Sequence, residues 1–223
     1  MNAQETDLTE APAKKRRRPR LPRFSMLREF TLADVITLGN GFSGMSSVLC
    51  AMQFLVSGER AMLWIAFALL PLAGVFDYLD GRVARWRRKN SLLGAQLDSL
   101  ADLVSFGVAP AVLAFAVGLR GGWDAAVLVY FVGCGISRLA RYNATAAALS
   151  DDSGKVRYFE GTPIPTSVLL VGLLAWLTWK DQIGSALPFG SMSIAGFTLH
   201  PLVLAYFASG SAMISKSLRI PKI

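Results

Sequence analysis

Six apolar segments, each near the ~20 residues that carry a helix across a bilayer, follow one another from residue 34 onward. They run at about 34–57, 61–81, 96–118, 123–147, 163–180 and 198–215. In hydrocarbon, every backbone N–H and C=O must be satisfied within its own segment, so such runs are helices. With 53% of its 223 residues hydrophobic, the chain reads as one polytopic membrane domain rather than a soluble one. The predicted fold is all-α integral membrane: six transmembrane helices over a domain at 25–223, led in by a short N-terminal interfacial helix at 24–33 (FSMLREFTLA). Gly39, Gly41, Ser43, Gly44, Ser46 and Ser47 stud the first span and let other helices approach its backbone. Pro110 predicts a kink in the third.

Residues 1–24 are polar, then strongly basic (KKRRRPRLPR at 14–23), with no apolar run. They read as a disordered cytoplasmic tail lying on an anionic membrane surface, not as a secretory signal. No aromatic platform accompanies the charge, so no nucleic-acid partner is expected. Cys50 and Cys134 sit within apolar runs and read as packing residues without a disulfide. His200 reads as an interfacial or packing residue.

Lysine and arginine fix the orientation. Six spans put both ends on one side, and twenty of the 23 basic residues then share that side. Only Arg60, Arg120 and Lys180 fall in the opposite connections. Both termini are therefore expected in the cytoplasm, in a bacterial inner membrane or the endoplasmic reticulum.

Charge also occurs where it is costly. Between Asp77 and Asp102 the sequence reads DYLDGRVARWRRKNSLLGAQLDSLAD. Asp77 and Asp80 are three apart and Asp98 and Asp102 four apart, so each pair shares a helical face. A bare carboxylate at membrane depth costs several kcal/mol, about 2.5–3.5 on insertion scales. Helix caps or ion pairs with the nearby arginines would account for one such residue, but four together call for a cation. Oxygen-only ligands with no His or Cys close by suit a hard ion, Mg²⁺ or Mn²⁺, and two facing pairs suit two ions. A divalent-cation transporter would also carry carboxylates in its spans, but spread along a path rather than gathered at one depth.

Written D-x2-D-G-x2-A-R-x8-G-x3-D-x3-D, this stretch resembles the signature of the CDP-alcohol phosphotransferases at all eight fixed positions. These are membrane enzymes that move a phosphoalcohol group from a CDP-linked donor to an acceptor hydroxyl and release CMP. The resemblance implies that Asp77, Asp80, Asp98 and Asp102 ligate the metal and that Asp102 is also the catalytic base. It places Thr37, Asn40, Gly81, Ala84, Arg85, Ser91 and Gly94 at the CDP-diacylglycerol site, with Arg85 on the diphosphate. From the residues alone, Gly81 and Ala84 serve equally for tight helix packing, and Arg85 for snorkelling.

Arg138 and Arg141, in SRLARYN at 137–143, share a helical face near the cytoplasmic end of the fourth span. Two guanidinium groups there suit a carboxylate or phosphate, or simply an interfacial position. Six blocks resemble the CDP-diacylglycerol-dependent phosphatidylserine synthases, a branch of the same family: ITLGNGFSG, FDYLDGRVAR, LDSLADLVSFGVAPAV, SRLARYN, YFEGTPIPT and ISKSLRIPK. That resemblance implies CDP-diacylglycerol and L-serine as substrates, with Arg138, Arg141 and Tyr142 binding serine. It implies direct attack by the serine hydroxyl, with no covalent enzyme intermediate. Sibling transferases using glycerol 3-phosphate, inositol, inositol phosphate or choline are the alternatives. Glu160 is a candidate partner for the serine ammonium, or a turn residue in a rigid EGTPIP loop. Membrane lipids are the expected surroundings and a homodimer the expected assembly.

Overall fold

The computed structural model describes residues 32–87, 92–149, 158–215 and 219–221, with backbone only at 84–87, 92, 146–149, 158–160 and 219–221. The basic tail, Ser91, and all but the last two residues of the expected interfacial helix lie outside the described residues. So do the side chains of Ala84, Arg85 and Glu160.

The first two apolar segments fold as α1 (Leu32–Ser57) and α2 (Arg60–Arg87), joined by a tight turn at 58–59. The third is not one regular helix. It is α3 (Leu92–Asp102), a π-helical turn (Leu103–Val108) and α4 (Ala109–Val117). The kink expected at Pro110 thus appears as an expanded turn just before it. Pro110 has no N–H to give to the carbonyl four residues back, and the preceding residue, Ala109, bonds to the Val104 carbonyl in π register. The carbonyl of Pro110 itself accepts the hydroxyl of buried Tyr206 at 3.1 Å. The fourth segment is α5 (Gly122–Leu149).

Among the described residues, four helical stretches are long and apolar enough to cross a membrane: Leu32–Ser57, Arg60–Val83, Leu93–Val117 and Gly122–Thr145. The last two segments are also helical but shorter. α6 (Val168–Trp179) is preceded by a 3₁₀ turn, giving Ile164–Trp179, and α7 (Leu204–Ile214) likewise, giving Pro201–Ile214. At 1.5 Å per residue these reach roughly 24 and 21 Å, short of the ~30 Å hydrocarbon core. The chain is therefore a mostly helical membrane protein.

Four short strands were not expected. β1 (Tyr158–Glu160) pairs antiparallel with β4 (Arg219–Pro221), and β2 (Met192–Ile194) with β3 (Phe197–Leu199) in a hairpin. The segment expected to be helical from 198 therefore begins as strand and becomes helical at Pro201.

The core lies between α2, α4, α5, α6 and α7, around Leu63, Leu70, Phe106, Leu113, Phe131, Leu174 and Tyr206. Phe131 and Tyr206 meet edge to face, centroids 5.2 Å apart. Large apolar side chains point outward on α1, α5 and α6, among them Phe42, Val56, Val129 and Leu169, all more than 65% exposed. A surface like that belongs against lipid. The small residues of α1 do admit close neighbours. Gly39 faces the Phe76 ring, Gly41 faces Ala101, and a side-chain carbon on Gly44 would overlap Ser105 of the π turn.

His200 has a more specific partner than packing provides. Its Nδ1 lies 2.6 Å from Oδ2 of the fully buried Asp124, which also accepts the backbone N–H groups of Gly121 and His200, each at 2.8 Å. Cys50 and Cys134 are free thiols.

Candidate active site

α1, α2 and α3 bring the aspartates together. On α2, Asp77 and Asp80 lie one turn apart, as Asp98 and Asp102 do on α3, so each helix offers one acidic face. Asp77, Asp98 and Asp102 each place a carboxylate oxygen within 4.8 Å of the other two. At that spacing, like charges repel by on the order of 3 kcal/mol per pair at an effective dielectric near 20. Asp98 Oδ1 is buried without a hydrogen-bond partner among the described residues, and no described lysine or arginine forms an ion pair with any of the four aspartates. Hard oxygen donors, mutual repulsion and an orphaned buried oxygen together fit a divalent cation such as Mg²⁺ or Mn²⁺.

Asp80 stands apart from that trio. It is nearly buried and accepts the Thr37 hydroxyl at 2.7 Å. The same hydroxyl lies 3.0 Å from the Ala33 carbonyl. It has one proton to give, and the shorter, charge-assisted contact to the carboxylate is the stronger. Three residues along the same face of α1, Asn40 Nδ2 donates to Asp102 Oδ1 at 3.0 Å. The buried asparagine of the first span therefore has its partner: the T-x-x-N spacing puts one donor on an aspartate of α2 and one on an aspartate of α3. Ser105 secures Asn40 in turn by donating to its backbone carbonyl at 2.9 Å. Ser105 sits in the π turn directly after Asp102, the kind of irregularity that often accompanies functional sites.

The other expected site residues divide. A side-chain carbon at Gly81 would meet no described atom within 4 Å. Gly94 lies in the first turn of α3, and Ala84 and Arg85 lie one turn beyond Asp80 on α2. Arg138 and Tyr142, on α5, line a cavity of about 190 Å³ with Asp98, Ser99, Asp102, Leu139, Pro163 and Pro165. One water needs about 10–15 Å³ by such a measure, so a molecule of amino-acid size fits. Arg138 Nε is buried and has no described hydrogen-bond partner. Arg141 is exposed and does not line the cavity.

Several neighbours of the site were not singled out from the sequence. Ser99 and Asn143 bond to each other across α3 and α5, with the Asn143 amide donating at 3.0 Å. Pro163 and Pro165, in the loop expected to be a rigid turn but not assigned to the site, close the cavity before α6. The one available signal was positional: Ser99 and Asn143 fall inside blocks already noted for other residues.

The CDP-alcohol phosphatidyltransferase family profile matches residues 30–206. A CDP-diacylglycerol–serine O-phosphatidyltransferase of Saccharomyces cerevisiae is 48% identical over 204 residues, covering 89% of this chain and 73% of the relative. Proteins of the same name from Mycobacterium leprae and Methanocaldococcus jannaschii are 42% and 34% identical over 164 and 148 residues. Those alignments take in 70% and 66% of this chain, but 48% and 62% of the relatives' own lengths. With the match running from the start of α1 into α7 and across every aspartate of the site, the chain belongs to the CDP-alcohol phosphatidyltransferase family.

Proposed function

We propose that this chain is a phosphatidylserine synthase, which transfers the phosphatidyl group of CDP-diacylglycerol to the hydroxyl of L-serine and releases CMP. The observation that carries the reading is a single cavity shared by Asp98 and Asp102 on one side and Arg138 on the other. It sets a carboxylate-rich reaction centre against a cation suited to an acceptor's carboxylate. Serine, rather than another alcohol, is supported by the name that the relatives share.

In this reading Asp77, Asp80, Asp98 and Asp102 hold two hard divalent ions, Mg²⁺ or Mn²⁺, which when bound screen the diphosphate and stabilise the departing oxygen. Thr37, by donating to Asp80 Oδ2, would fix the orientation of that carboxylate toward the metal site. Arg138, with Tyr142 beside it, holds the serine carboxylate; Arg141 adds positive charge outside the cavity. Asp102, held by Asn40, takes the proton from the serine hydroxyl. The serine oxygen forms a bond to the phosphatidyl phosphorus, and the bond from that phosphorus to the CMP oxygen breaks, its electron pair leaving with CMP. Arg85 and Ser91 bind the donor's phosphates, while Gly81, Ala84 and Gly94 keep the path to the donor low. Thr37 and Asn40 reach the donor site through the aspartates they hold.

The same proposal has six spans, the two short helices tilting little or thinning the bilayer locally. The termini and the site face the cytoplasm, and the protein works as a homodimer. Its test is purified protein in lipid nanodiscs with CDP-diacylglycerol and Mn²⁺, offered serine, glycerol 3-phosphate or inositol separately. CMP release and phosphatidylserine formation with serine alone are expected. Release with either of the others instead would assign a sibling activity.

A further inference from the structure

The loop between β1 and α6 forms a wall of the cavity. Pro163 and Pro165 line it, while Ile164 between them is fully buried and turned away. A side-chain carbon on Gly135 would meet Ile164 Cδ1 at 3.0 Å, and one on Gly107 at 3.9 Å. Gly107 lies in the π turn that follows Asp102, and Gly135 lies one helical turn before Arg138. Ile164 is thus wedged between the π turn that follows Asp102 and the helix that carries Arg138. The wall itself is stiff. Two prolines fix φ, and Thr166 bonds to the Pro163 carbonyl through both its hydroxyl, at 2.7 Å, and its N–H, at 3.1 Å.

The far end of the chain grips this wall. Gly161 has φ +76°, a conformation that residues with a Cβ rarely adopt, and any side-chain carbon there would overlap the Met213 carbonyl oxygen at the end of α7. The next residue, Thr162, donates its N–H to the Ala212 carbonyl at 3.2 Å. Immediately before, β1 is paired with β4, Phe159 opposite Ile220.

We propose that the Gly161–Pro165 turn is the size gauge for the acceptor alcohol, which rests on reading this cavity as the acceptor site. Arg138 and the aspartates fix the acceptor's charged end and its reacting hydroxyl. Discrimination by length then falls to the uncharged part of the lining, Pro163 and Pro165, and Gly161 holds that wall in place against the backbone of α7.

The test uses the full chain in nanodiscs with saturating CDP-diacylglycerol and Mn²⁺. It compares L-serine with L-homoserine, one methylene longer, in the parent protein and in Pro163→Ala, Pro165→Ala, Gly161→Ala and Arg138→Ala. One methylene in a pocket is worth about 10–200-fold in discrimination. Either proline variant is expected to raise kcat/KM for homoserine relative to serine by about tenfold, with the KM for CDP-diacylglycerol unchanged. Gly161→Ala is expected to raise the serine KM selectively; if it does not fold, the proline variants decide. Unchanged selectivity in both proline variants, with Arg138→Ala still raising the serine KM, would overturn the gauge and leave the acceptor site standing. An unchanged serine KM in Arg138→Ala would remove the acceptor site and the gauge with it.

Discussion

Asn40 Nδ2 donates to Asp102 Oδ1 at 3.0 Å, with Asn40 fully buried and Asp102 8% exposed. One oxygen of Asp102 is thereby committed to α1, and the carboxylate is held in one orientation toward Asp77 and Asp98. Partners of this kind typically account for 10–100-fold in metal affinity or activity. Asn40→Ala is expected to lower kcat by that factor and raise the Mn²⁺ concentration needed for half-maximal rate. A metal titration of CMP release checks both. An unchanged metal requirement would reduce Asn40 to a packing residue.

If Asp102 accepts the serine proton, Asp102→Asn keeps the shape of the residue and its contact with Asn40 but removes the base. General base catalysis contributes about 10²–10⁴-fold, so transfer is expected to fall by at least a hundredfold. CDP-diacylglycerol binding, followed by calorimetry in detergent, is expected to persist. Retained turnover would take the base role from Asp102.

The aspartate spacing was legible because helix periodicity alone puts Asp77 with Asp80 and Asp98 with Asp102. Which of them would converge was not. Asp80 turns to Thr37 because α1 packs between the two acidic helices, and the partner of a helix face is a tertiary fact. The same limit hid the pairing of Ser99 with Asn143. It also left Arg141 beside Arg138 in expectation, whereas Arg138 lines the cavity and Arg141 is exposed outside it. Pro110 signalled an irregularity in the third span correctly, but the sequence does not say that a lost hydrogen bond is absorbed as a π turn upstream. The β2–β3 hairpin falls mostly between the fifth and sixth apolar segments, where no element was expected, and only Thr198 and Leu199 of β3 were assigned, as helix. Ala195 and Gly196, both at positive φ, turn the chain back there.

Repulsion among Asp77, Asp98 and Asp102 makes the metal a stabilising ligand as well as a reactant's partner. Excess chelator is expected to stop CMP release, and Mg²⁺ or Mn²⁺ to restore it. At a hundred times its Kd the ion stabilises by about 2.7 kcal/mol, so Tm is expected to rise by about 5 °C or more on metal addition. Asp98→Asn is expected to remove most of that shift. Full activity in excess chelator would end the metal argument.

Gly44 is the closest approach of α1 to the π turn. A methyl there would come within 2.7 Å of Ser105 Cα and would overlap its hydroxyl. The main chain has to give, because the obstacle is backbone rather than the end of a flexible side chain. Gly44→Ala is expected to destabilise the protein by about 1–3 kcal/mol, as overpacking does, and to loosen the Ser105 bond to the Asn40 carbonyl. Thermal melting in detergent and the metal titration are expected to shift together. A normal Tm in Gly44→Ala would mean that α1 can move outward at no cost.

Arg138 and Arg141 separate the cavity from the surface around it. Arg138 lines the space beside Asp98 and Asp102, and its Nε is buried without a described partner, whereas Arg141 is exposed. A guanidinium that meets a substrate carboxylate inside a cavity contributes through charge-assisted bonds, about 1.5–3 kcal/mol each. An exposed one acts through a field that salt screens over about 8–10 Å. Arg138→Ala is therefore expected to raise the serine KM by about 10–100-fold, with little change in the KM for CDP-diacylglycerol. Arg141→Ala is expected to raise the serine KM only a few-fold, and by less at 0.5 M salt than at 0.05 M. Initial-rate measurements varying serine at saturating donor, repeated at both salt concentrations, distinguish the two. Equal effects from the two variants would mean that serine binds at the mouth of the cavity, between the arginines, and not within it.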